Sequence, residues 1–176
     1  MVLLVAEHKD KIMYASGKEK EIEAEALITD KKGVILSLLT ADCLPISFYD
    51  PVQQVVALAH LGWKPTDLEL SRKVVEYLVN NHNTNPADLE VIIGPGAGPN
   101  YCYPSLAQEK DDRWKPYLSY KDDLFCVDLK KFNYDHLISC GVKKIQVSEI
   151  DTTIDKDYFS HYRQDWGRMA TIVCLP

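Results

Sequence analysis

The chain has 176 residues, 46% hydrophobic and 26% charged, a balance that suits one globular domain and excludes a disordered or fibrous chain. Its 20 Lys and Arg against 26 Asp and Glu leave a net charge of −6, the wrong sign for a polyanion binder, so nucleic acid is not an expected partner. The length falls short of the roughly 250 residues of a TIM barrel, and no apolar run approaches the roughly 20 residues that span a bilayer.

From the N-terminus, the apolar stretch Met1 to Ala6 meets Glu7-His8-Lys9-Asp10 too early for a secretory leader, so a cytoplasmic protein is expected. Short β-branched or aliphatic runs follow in quick succession. Residues 2–5, 11–15, 26–29, 34–40, 44–49 and 55–60 read as strands, with turns at Lys31-Lys32-Gly33 and Asp50-Pro51. Glu19 to Glu25 is a charged connection, with a helical turn as its alternative. The period then changes. Thr66 and Glu69 stand as in a capping box and open a helix through about Val79, with Leu70, Val74, Tyr77 and Leu78 at helical spacing. Leu89 to Ile93 is a strand, and Gly94-Pro95-Gly96-Ala97-Gly98-Pro99 is a rigid loop. Asp128 N-caps a second helix through Ser139, with Gly141 at its C′ position. Residues 144–147 and 169–174 close the chain as strands. This order predicts a single α/β (α+β) domain over residues 1–176, a layered sandwich of mixed sheets flanked by helices.

The five cysteines show no CxxC pairing, and their odd number argues against a disulfide framework. Cys126, Cys140 and Cys174 lie in apolar contexts and read as small buried hydrophobes. Cys43 differs, because it sits between two strands in Thr40-Ala41-Asp42-Cys43-Leu44-Pro45. Seventeen residues on, His60-Leu61-Gly62-Trp63-Lys64-Pro65 places a histidine in a similar position. If the flanking strands pair through the Asp50-Pro51 turn, the two side chains can meet. A thiolate and an imidazole serve either as a nucleophile pair or as zinc ligands. His8, among polar residues before a strand, is the candidate third ligand. His136, late in the second helix, suits the helix dipole as a cation. The Gly94–Pro99 loop either offers amides to an anion or lets two backbones pass closely. Arg163 and Arg168 could grip phosphate or carboxylate, or Arg163 could pair with Asp165. Trp63 and Trp166 could stack on a planar ligand or belong to the core.

Five ordered blocks carry a resemblance. Ala24-Glu25-Ala26-Leu27-Ile28-Thr29-Asp30, Leu39 to Pro45, Ala59 to Lys64, Gly94 to Pro99 with Cys102-Tyr103, and Arg163-Gln164-Asp165 with Gly167-Arg168-Met169-Ala170 resemble the YfiH-like family, also labelled laccase-domain or polyphenol oxidase-like. The resemblance implies one zinc held by His8, Cys43 and His60, with a fourth position open as in catalytic sites. It implies a purine nucleoside phosphorylase acting on a nucleoside and phosphate, with adenosine deamination as a second activity. In that setting Cys43, His60, Lys64 and Arg163 are the expected catalytic residues, and Trp63, Tyr103 and Arg168 the substrate contacts. A monomer or small homo-oligomer is expected. Copper (Cu2+) in place of zinc, giving a laccase-like oxidase, is the alternative, as are a metal-binding member without turnover and a metal-free Cys43/His60 hydrolase. The sequence departs from the family pattern in lacking the usual N-terminal extension, in Ala6-Glu7-His8-Lys9, in Lys64-Pro65 where Arg-Gly is usual, in a shorter loop before Gly167, and at Asp151.

Overall fold

A computed structural model describes residues 1–99, 101–104 and 111–176. Seven strands come first: β1 (Val2–Val5), β2 (Ile12–Tyr14), β3 (Glu21–Glu23), β4 (Ala26–Thr29), β5 (Ile35–Thr40), β6 (Leu44–Asp50) and β7 (Val55–Leu61). Helices α1 (Trp63–Asp67) and α2 (Leu70–His82) lead to β8 (Glu90–Ile93) and β9 (Cys102–Tyr103). Then come β10 (Leu118–Lys121), β11 (Leu124–Val127), α3 (Leu129–Ser139), β12 (Lys144–Val147) and β13 (Met169–Cys174).

The strands form a six-stranded sheet in the order β12-β8-β6-β7-β4-β2, a four-stranded sheet β13-β5-β1-β3 and a three-stranded sheet β10-β11-β9. The first two are mixed: β4 and β6 run antiparallel to β7, whereas β12 runs parallel to β8 and β1 parallel to β5. The expected layered α+β architecture is what the structure shows.

β7 explains the layering. All seven of its residues are buried, the signature of a strand covered on both faces. Val55, Ala57, Ala59 and Leu61 join one core with Leu70, Val74 and Leu78 of α2 and Phe132 of α3. Val56 and Leu58 point the other way, into a second core with Leu4 of β1 and Leu36 and Leu38 of β5. The six-stranded sheet is therefore the middle layer, with helices on one face and the smaller sheet on the other.

Several expectations are corrected. Residues 21–23 form strand β3, parallel to β1, in place of the charged connection or helical turn. The predicted helix is broken in two. Glu69 is left-handed at φ 57° and separates α1 from α2. The Thr66 hydroxyl accepts from Asn133 Nδ2 at 3.1 Å in the core, and the Glu69 carboxylate pairs with Arg72 at 3.1 Å and Arg113 at 3.2 Å. Both partners of the capping box are thus committed elsewhere. Asp128 does cap α3, accepting from the Lys131 amide at 2.9 Å, and Gly141 takes the left-handed position beyond its end. The cysteines also differ from expectation. Cys102 and Cys126, directly opposite on β9 and β11, form a disulfide. Cys174 is exposed and Cys140 half-buried. Spacing could not show a pair that strand register creates.

Candidate metal centre and cleft

The site lies at one end of the six-stranded sheet. β6 and β7 pair antiparallel around the 50–55 turn, with Pro45 opposite His60 and Leu44 opposite Leu61. Cys43, one residue before β6, and His60, near the end of β7, therefore meet. A Cβ built on Gly62 would lie 2.9 Å from Cys43 Sγ and 3.8 Å from His60 Cε1, so the missing side chain makes room for both groups. Asp42, left-handed at φ 77°, turns the chain so that Cys43 faces the cleft.

His60 is 4% exposed and belongs to the face that carries Val56 and Leu58. Burial there needs a partner, and Glu25 provides it. Glu25, fully buried, sits one position before β4, next to the Ala26–Ala59 pair. Its Oε2 is 2.7 Å from His60 Nδ1 and its carbonyl accepts the His60 amide at 2.8 Å. Its Oε1 accepts the amides of Glu7 at 2.5 Å and Lys9 at 3.3 Å. Burial raises the Glu25 pKa, but the hydrogen bonds from His60 and from those two amides outweigh it and keep the group below the ordinary carboxylate range. Burial likewise opposes a charge on His60, whereas hydrogen bonds to Cys43 and Glu25 carry its pKa up to about 9. Nδ1 is taken by Glu25, so the contact with Cys43 falls to Nε2.

His8 is left-handed at φ 59°, between the two amides that Glu25 holds. Its ring centroid lies 5.4 Å from that of His60. His8 and Cys43 line a cleft of about 310 Å³ with Trp63, Lys64, Tyr101, Tyr103 and His161, near the lower end of the usual range for small-molecule sites. Lys64 Nζ stands 5.6 Å from the Trp63 ring centroid. Tyr101 and Tyr103 form one wall, backed by Tyr162, with the three ring centroids 4.9 to 5.8 Å apart. Burial and the neighbouring Tyr103 push the Tyr101 hydroxyl far up, so it stays neutral.

The remaining expected site residues lie elsewhere. Arg163 is engaged in holding its own loop. Its guanidinium donates to the carbonyls of Thr152, Asp155 and Tyr158 and pairs with Asp165 at 2.7 Å. Arg168 is exposed, contacts the Gly167 carbonyl at 2.8 Å and is absent from the cleft lining. Trp166 is fully exposed. The Gly94–Pro99 loop takes its close-packing role: the Gly94 and Ala97 amides donate to Pro45 and Asp42 carbonyls, and a Cβ on Gly96 would lie 2.9 Å from the Asp42 oxygen.

A family model described as multi-copper polyphenol oxidoreductase laccase matches residues 1–176. The chain belongs to this laccase-domain, YfiH-like family. Among its relatives, the purine nucleoside phosphorylase YlmD of Bacillus subtilis is 32% identical over 85% of the chain and 56% of its own length. The purine nucleoside phosphorylase CA_C1699 of Clostridium acetobutylicum is 31% identical over 94% of the chain and 73% of its own length. The crystal structure of Bacillus licheniformis hypothetical protein YfiH superposes with a TM-score of 0.84 at 29% identity, covering 99% of this chain and 74% of that one. The chain thus spans little more than half the length of YlmD, the curated relative from B. subtilis.

The donor chemistry of the laccase-domain site suits zinc: one sulfur and two imidazole nitrogens, with His60 already oriented by a carboxylate. Among the described residues no three His, Cys, Asp or Glu side chains stand close enough to share one ion. His8 is exposed, so it would have to turn inward to share an ion with Cys43 and His60. Two residues that sequence reasoning passed over matter here. Glu25 looked like part of a charged connection, yet it abuts the apolar run of β4 on the face shared with Leu27. Asp42, within the Leu39 to Pro45 segment, accepts hydrogen bonds from Thr152, Ser160 and Tyr162.

Proposed function

We propose that the chain is a zinc-dependent purine nucleoside phosphorylase, with adenosine deamination at the same centre as a secondary activity. The observation that carries this reading is the meeting of Cys43 and His60 beside a cleft whose walls also hold His8, Trp63, Lys64 and Tyr103. The names of the YlmD and CA_C1699 relatives support it.

His8, Cys43 and His60 would hold the zinc, which supplies a Lewis acid or lowers the pKa of a bound water toward neutrality. In phosphorolysis a phosphate oxygen bonds to the ribose C1′ while the bond to the purine nitrogen breaks. The bonding pair leaves with the base, which takes up a proton. Negative charge must therefore be held beside the sugar, and Lys64 is the cation in the cleft lining to hold it. Trp63 and Tyr103 offer flat apolar faces to the purine. Tyr101, kept neutral, can donate a hydrogen bond without adding charge. Arg163 acts on the site indirectly, by fixing the segment from Thr152 to Asp165 that presents His161. Arg168, outside the lining, is given no contact to the substrate.

The copper oxidase reading is the weaker one. Four-electron reduction of oxygen calls for several coppers, and five histidines in the whole chain supply too few ligands. Inosine and phosphate with zinc-loaded protein test the main reading. Hypoxanthine release well above that of His60→Ala is expected, and release equal to that of the variant would overturn it. Metal analysis of protein purified without added metal separates zinc from copper. No helix among the described residues is long and apolar enough to cross a membrane.

A further inference from the structure

The Glu25 carboxylate touches both arms of the centre. Its two carboxylate oxygens divide the work. Oε2 takes His60 Nδ1 at 2.7 Å, and Oε1 takes the amides on either side of His8, Glu7 at 2.5 Å and Lys9 at 3.3 Å. An ionised carboxylate only accepts, so His60 must donate from Nδ1, and Nε2 is the ring nitrogen left facing the Cys43 side. The same carboxylate clasps a short turn whose middle residue, His8, is left-handed. A non-glycine residue held in that region needs its neighbours to fix it. Glu25 itself is fully buried and absent from the cleft lining, so substrate does not reach it.

We propose that Glu25 is the positioning residue of the metal centre, fixing which ring nitrogen of His60 faces Cys43 and the place of His8 with one carboxylate. This rests on the zinc reading above. One group then orients the His60 ring and holds the backbone on either side of His8 before the ion arrives, beside the ring contact between His8 and His60. A purely structural buried pair would need only the His60 contact. The two amides flanking His8 are the additional feature.

The experiment measures zinc affinity by competition with a chromophoric chelator for the full-length wild type, Glu25→Gln and Glu25→Asp. Thermal stability and amide exchange at Glu7 and Lys9 are followed in the metal-free proteins. Gln keeps the length but loses one accepting oxygen; Asp keeps the charge but is one methylene too short to reach both partners. The expected result is a zinc affinity lower by about 10- to 100-fold in both variants. Faster exchange at Glu7 and Lys9 should accompany it, with the folded state retained in at least Glu25→Asp. Variants that bind zinc as tightly as wild type, whatever their stability, would overturn the proposal alone. A wild type that binds no zinc would remove the zinc reading and the proposal together. The metal-free exchange data distinguish the two cases, since they report the clasp without any ion.

Discussion

Asp42 accepts the backbone amide of Tyr162 at 2.7 Å, joining positions 120 residues apart at the back of the cleft. The same carboxylate takes the hydroxyls of Thr152 at 2.7 Å and Ser160 at 3.1 Å. Three donors from the C-terminal segment thus end on a residue next to Cys43. Removing a buried acceptor strands its donors at the cost of their desolvation. Asp42→Ala should lower stability by about 3 kcal/mol, measured by chemical denaturation. A loss under about 0.5 kcal/mol, the level of an ordinary surface change, would show that this hub holds nothing.

Gly62 offers a test of crowding without backbone strain, since its φ is −77° and any residue can adopt it. A methyl there would lie 2.9 Å from Cys43 Sγ. Gly62→Ala should therefore displace the sulfur and cut nucleoside turnover about tenfold or more, with thermal stability nearly unchanged. Steady-state assays and a melting curve on the same preparation check both parts.

The sequence made part of the site legible and hid the rest. The Cys43–His60 meeting was readable because two apolar runs flank one turn, and strand alternation fixes the rest. The helix break at Glu69 was not, because Thr66 and Glu69 have the pattern of a cap. Their competing partners, Asn133 and Arg113, come from segments that only the folded chain brings near. Glu25 escaped for a related reason. Its charge suggested solvent, and the histidine that justifies its burial is 35 residues away. The motif arginines were read by type, yet Arg163 is engaged with carbonyls of its own loop, which composition does not reveal.

His136 gives a pH prediction. Burial against Phe132, whose ring centroid is 4.1 Å away, lowers its pKa below the ordinary 6.5. The neutral ring is favoured, contrary to a cationic role at the end of α3. The folded state then binds fewer protons than the unfolded state between the two pKa values, so stability rises with pH there. The contribution is complete above pH 6.5 and is lost as pH falls through the lowered folded value. Melting temperatures between pH 7 and 5 should fall less steeply for His136→Phe than for wild type. Parallel profiles would contradict the assignment.

The Cys102–Cys126 disulfide ties the strand carrying Tyr103 to β11 across 24 residues of sequence. Closing a loop of that size typically stabilises by about 2–4 kcal/mol. Denatured, unreduced protein should titrate three thiols, from Cys43, Cys140 and Cys174. Reductant should lower the melting temperature of wild type but leave Cys126→Ser unaffected. Five titratable thiols without reductant would contradict the pairing.

Zinc K-edge absorption spectroscopy on the full-length, zinc-loaded protein tests the central claim most directly. The account predicts one sulfur near 2.3 Å and two imidazole nitrogens at about 2.0–2.1 Å, with the sulfur lost in Cys43→Ser and one nitrogen lost in each of His8→Ala and His60→Ala. A first shell without sulfur, or one that these three substitutions leave unchanged, would contradict it.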